Sequence, residues 1–180
     1  MNFVTVFQFL PLGIFLLTYR ISTFFWPTCS NSCPWRTAFI VGGIAALLQT
    51  AIFLYKRYEL NPLILAVNCF LLCNSIGIIF DIKIILEFYR NFMQTTLLIW
   101  LLIIGVITTC FSKKGFIGIT HAKHSKIIKY SLILIGVAGL AVAWSFYFKN
   151  NLLLSAFVPF ISVVLLRSYL ISVLLKSEKK

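Results

Sequence analysis

Six long apolar runs divide this chain, and none of them contains an acidic side chain. They cover residues 3–19, 37–55, 60–80, 92–111, 127–148 and 152–175. A helix crosses the hydrocarbon core with about 20 residues, in a range of about 17–25. The six runs fall in that range. In hydrocarbon every backbone N–H and C=O must be satisfied internally, which leaves helices and closed barrels. Barrel strands are short and alternate in polarity. These runs do neither. The expected fold class is all-α: a polytopic membrane helix bundle of about six transmembrane helices, forming one domain over residues 1–180.

Composition agrees. Hydrophobic residues make up 61% of the 180, and charged residues 11%. Soluble domains are near half apolar and a quarter charged, and a fold this small cannot hide so large an apolar excess.

The first run carries Gln8, Pro11 and Gly13. It reads either as a kinked span or as a shallow re-entrant segment. It lacks the basic leader and small-residue cleavage site of a signal peptide.

The charge is lopsided, with 16 Lys and Arg against four acids, Glu59, Asp81, Glu87 and Glu178. Nearly all the basic residues lie between the apolar runs, so an anionic membrane surface accounts for them and nucleic acid is not needed. Lys and Arg in short loops set orientation. With the N-terminus inside, the inner segments hold Lys56, Arg57, Lys113, Lys114, Lys123, Lys126, Lys129, Lys176, Lys179 and Lys180. The outer ones hold Arg20, Arg36, Lys83, Arg90 and Lys149. Ten against five places both termini in the cytoplasm. The inner loop at residues 112–126 is the largest soluble feature on that face. Each of its lysines is attracted to an anionic leaflet by about 1 kcal/mol, so anionic lipids are the expected partner there.

Residues 81–92 place Lys83, Glu87, Arg90 and Asn91 on one helical face and Ile82, Ile85, Leu86, Tyr89 and Phe92 on the other. That pattern predicts an amphipathic helix in the interface, or an extension of the fourth span into the headgroups. Small residues let helix backbones approach closely in lipid. Gly42 with Ala46, and Gly139 with Ala143, predict close packing by the second and fifth helices.

Residues 26–35 read Trp-Pro-Thr-Cys-Ser-Asn-Ser-Cys-Pro-Trp. By the charge count this loop faces outward, where disulfides persist. Cys29 and Cys33 are a candidate disulfide pair, with free thiols and a redox or metal role as the alternatives. Cys69 and Cys73 repeat the spacing inside the third span, where free Cys behaves as a small apolar residue. His121 and His124 sit among lysines, which disfavour a cation. No metal and no cofactor is expected.

Polar groups at membrane depth point to a site. Asn61, Asn68 and Ser75 lie seven apart and share one face of the third helix, and Gln49 lies in the second. Arg167 is the one charge well inside the last span. It either snorkels to the headgroups or turns inward to a carbonyl or an anionic ligand. The Asn stripe is either interhelical glue or, with Gln49 and Arg167, the lining of a ligand site. No P-loop, G-x-S-x-G or H-E-x-x-H occurs, and no carboxylate lies inside a span, which weighs against an enzyme.

The segment Phe9-Leu-Pro-Leu-Gly-Ile-Phe-Leu-Leu-Thr-Tyr-Arg20 resembles the opening of the bacterial intracellular septation protein A family, and the helix spacing looks similar. The family's Lys-Pro-Thr-like element has no counterpart at Gln94-Thr95-Thr96. The resemblance implies a bacterial inner-membrane protein with a non-enzymatic role in envelope maintenance or septation, acting through other membrane proteins. It carries over no functional residue. The rival readings are a small-molecule binding or transport protein, and a membrane thiol oxidoreductase using Cys29 and Cys33 with Cys69 and Cys73.

Overall fold

The structure is a computed structural model. It describes residues 7–25, 32–58, 61–120, 122–149, 151 and 153–178, with the backbone alone for 32, 33, 177 and 178. The described residues form helices joined by turns and loops, without a strand. The helices are α1 (Leu10–Phe25), α2 (Ser32–Tyr55), α3 (Pro62–Ile79), α4 (Lys83–Phe92), α5 (Thr95–Phe111), α6 (His124–Tyr147) and α7 (Val158–Glu178), with a π-helical turn at Leu153–Phe157 before α7.

Four of them are long and apolar enough to cross a membrane: α2, α3, α6 and the joined π-turn and α7. The α4–α5 pair makes a fifth if it counts as one broken span. The expected count of about six is therefore reached only if α1 also crosses. That helix has 16 residues. At about 1.5 Å per residue it falls short of a hydrocarbon core of about 30 Å.

The chain divides into two compact units, residues 1–91 and 92–180. In the first, α2 packs against both α1 and α3. The reason is written at Gly42 and Gly43. A Cβ on Gly42 would stand 3.0 Å from the Phe15 Cβ, and one on Gly43 only 2.4 Å from the Ser75 Cβ. Only a missing side chain allows both neighbours to approach this closely. Ala38, Phe39, Ala46, Leu63, Ala66, Val67 and Leu71 fill the rest of this core.

Local chemistry ends the helices. Asn61 caps α3, its side chain accepting from the Leu63 N–H at 3.1 Å, and Pro62 starts the helix where its absent N–H costs nothing. Past the C-termini of α2 and α3, Arg57 and Asp81 take left-handed conformations, φ 53° and 50°. There Tyr58 donates to the Phe53 carbonyl and Ile82 to that of Gly77, bonds that satisfy the last turn. Met93, also left-handed at φ 46°, separates α4 from α5. The amphipathic segment is thus its own helix and not a straight extension of the fourth span. Its apolar side faces the first unit: Ile85 covers Gly77, and the Tyr89 ring meets Phe39 edge-on, centroids 5.0 Å apart.

In the second unit α6 packs against α5 and α7. Ala138 and Ala141 turn inward, buried, while Gly136 and Ala143 are exposed. A Cβ on Gly136 or Gly139 would meet nothing within 4 Å among the described residues. The Gly139–Ala143 pair expected to make a close contact therefore makes none there, because the helix presents its alanines to its neighbours instead. The π-turn answers Pro159. That proline cannot donate to the Ser155 carbonyl, and a wider turn relieves the clash of its ring. Asn151 caps the turn through the N–H groups of Leu153 and Leu154.

Candidate functional site

The predicted polar residues make one arrangement within each unit. In the first unit Gln49 and Asn68 are almost wholly buried and bonded to each other across α2 and α3. Asn68 Nδ2 donates to Gln49 Oε1 at 2.9 Å and to Thr50 Oγ1 at 3.0 Å, and Gln49 Nε2 donates to the Phe7 carbonyl. An amide in an apolar interior needs such partners, since each unmade bond costs about 1–3 kcal/mol. Asn68 Oδ1 is buried without a partner among the described residues. Ser75 lies further along the same α2-facing side of α3, against Gly43. Asn61 is taken up as the helix cap. The stripe thus divides into a cap, an interhelical amide bond and a packing contact.

Arg167 belongs to the second unit and turns inward. Its Nη2 donates to the Ile117 carbonyl at 2.8 Å. The segment it holds is the basic loop, which is not the plain soluble feature expected. Phe116 and Ile117 are fully buried, and the Phe116 ring lies on Gly105 of α5, where a Cβ would stand 3.0 Å away. Buried hydroxyls satisfy the backbone that goes in with them. Ser131 Oγ accepts from the Ile117 N–H at 3.2 Å, and Thr109 Oγ1 from the Phe116 N–H at 3.3 Å. Gly115 and Gly118, at φ +58° and +75°, make the reversal. Loop backbone is tolerated at depth only where protein satisfies it, and here three side chains do so. Arg167 Nε is buried without a partner among the described residues. No pattern of charge or hydropathy in the loop foretold the insertion. The available signal was Gly115-Phe-Ile-Gly118, an apolar pair between two glycines inside a basic segment.

On the outside of this loop the same fold makes a cleft of about 500 Å³ lined by Lys113, Thr120, Ala122, His124 and Ile127. Sequence reasoning also missed a buried hydroxyl pair. Thr95 of α5 and Ser145 of α6 stand 2.8 Å apart, and the Thr96 and Ser155 hydroxyls are buried with no partner among the described residues.

The thiols are placed in part. Cys29 and the side chain of Cys33, the candidate disulfide, lie outside the described residues, as does His121. Cys69 and Cys73 are free and half-buried in α3, and Cys110 is free and exposed at the end of α5. Among the described residues, no three His, Cys, Asp or Glu side chains come together as metal ligands.

No family model matches this chain, and neither a curated protein nor a solved structure matches it.

Proposed function

We propose that this chain crosses a bacterial inner membrane about six times, with both termini cytoplasmic, the apolar sequence before α1 extending that short helix to a full first span. It acts without chemical turnover, by contacts with anionic lipids and with other membrane proteins of the envelope or septum. The observation that supports this reading is how its polar and apolar groups are used. Gln49, Asn68, Asn61 and Arg167, the side chains best suited to hold a ligand, bond to the chain itself. The apolar helix faces turn outward: in the most apolar 18-residue stretches of α6 and of the π-turn with α7, only 28% and 22% is buried. Contact with lipid or with other helices then becomes the main capacity of the molecule. The resemblance of residues 9–20 to the septation family points the same way.

A second reading, binding or transport of a small molecule, is favoured by the buried, unpartnered Asn68 Oδ1. Native mass spectrometry of the protein released gently from its own membrane separates the two. The contact reading expects bound lipids or a membrane-protein partner. One small molecule at fixed stoichiometry, lost in Asn68→Leu, would replace it with the binding reading.

A further inference from the structure

Residues 92–177 contain no Asp or Glu, yet they hold Lys113, Lys114, Lys123, Lys126, Lys129, Lys149 and Lys176 as well as Arg167. No carboxylate within the second unit's described side chains can therefore balance the cations around the loop. The fold places one of these, Lys113, in a cleft. The chain reverses at Gly118 and returns Thr120 and Ala122 beside Lys113 and the first residue of α6, His124. The cleft so formed is cationic at Lys113, offers an imidazole at His124 and a hydroxyl at Thr120, and is apolar at Ala122 and Ile127. It opens beside the N-terminus of a 24-residue helix whose cap residue, Lys123, makes no side-chain cap bond. The positive end of that helix adds to the same field.

We infer that this cleft binds a phosphate group, presented by an anionic lipid headgroup. The inference rests on the reading of the chain as a membrane protein with this loop at an anionic leaflet, and it assigns that attraction to a defined site. Lys113 supplies a charge-assisted donor to the phosphate oxygens, and His124 and Thr120 supply a ring N–H and a hydroxyl. Ala122 and Ile127 give the glycerol and upper acyl carbons an apolar wall. A dilute polybasic attraction would treat every lysine alike. A built site makes Lys113 and His124 matter more than an equally exposed lysine elsewhere.

The test uses the full chain in nanodiscs of phosphatidylcholine containing a minority of phosphatidylglycerol. After release into detergent, native mass spectrometry counts the lipids retained. One phosphatidylglycerol should survive on the wild type. Lys113→Gln with His124→Gln should lower its retention roughly tenfold, while Lys176→Gln leaves it unchanged. Both altered side chains are exposed, so the double variant should keep the wild-type helical circular dichroism. Inorganic phosphate, added at millimolar concentration, identifies the source. No displacement supports the headgroup, and displacement with loss in the double variant supports a phosphate site filled from solution. Equal retention of phosphatidylcholine, or phosphatidylglycerol retention indifferent to the double variant, would overturn the site. A bound small molecule with phosphatidylglycerol retention intact would defeat the contact function and leave the site standing.

Discussion

The two units share a plan and differ in what fastens it. Each is built on a 24-residue middle helix, α2 or α6, flanked by the helices before and after it. In the first unit the fastening is helix to helix: Gly42 and Gly43 admit α1 and α3, and Gln49 and Asn68 bond across the gap. In the second the middle helix leaves its glycines uncovered, and a loop fills the place of tight backbone contact. Phe116 and Ile117 enter beside α5 and α6, and Arg167 holds them from α7. Close packing in lipid needs either small residues or polar bonds. The first unit puts both on its helices. The second has the Thr95–Ser145 hydroxyl pair between α5 and α6 but puts its other long-range bonds on a connection, so its stability should be more local and more easily opened.

Overpacking gives the largest test of that contrast. Gly43→Val places a branched side chain where Ser75 already stands, and should destabilise the first unit by about 3 kcal/mol. Unfolding in mixed micelles, followed by hydrogen exchange resolved to peptides, should show α2 and α3 opening together. Next comes Arg167→Met, which leaves the Ile117 carbonyl without its donor and should cost about 2 kcal/mol. Exchange should rise at residues 113–120 while the first unit keeps its protection. If both units loosen equally in that variant, the fastenings are not separate. Asn68→Leu is expected to have a smaller effect, about 1 kcal/mol, because amide bonds between membrane helices are modest in net worth. Gln49→Leu in the same background should then add less than it does alone, the mark of a shared bond.

Most of the helices were legible in the sequence because long apolar helices announce themselves by length and hydropathy, but α1 continues through Arg20 to Phe25, past the expected end of the first run at residue 19. The amphipathic segment at residues 83–92 was legible by its period. Gly42, paired with Ala46, was legible as a contact because small residues cluster there without another use, but Gly43, where the approach is closer, was not singled out. The same reasoning failed at Gly139: a small-residue pair says that a helix can pack closely, not that a neighbour arrives. For Arg167 the sequence offered snorkelling or an inward turn, and the choice depended on a carbonyl fifty residues away. The Phe116–Ile117 insertion was hidden for a related reason. Its partners, Thr109, Ser131 and Arg167, are spread over three helices, and no local pattern joins them. The polar stripe of α3 was visible as a stripe, but its three members serve three different ends.

Gly139 provides the smallest effect and the sharpest control. A Cβ there meets nothing within 4 Å among the described residues, so Gly139→Val faces no wall, in contrast with Gly43→Val. The substitution should change stability by no more than about 0.5 kcal/mol, the range of sites that touch nothing critical. Valine is no worse a helix former than glycine, because glycine loses more backbone freedom on folding, and its own loss of side-chain rotamers offsets part of that gain. In unfolding titrations the variant should overlay the wild type. A loss as large as that of Gly43→Val would mean that another surface, from a second protein or a second copy, sits on this face of α6. The uncovered glycines would then mark an interface, and the second unit would be fastened by packing as the first is.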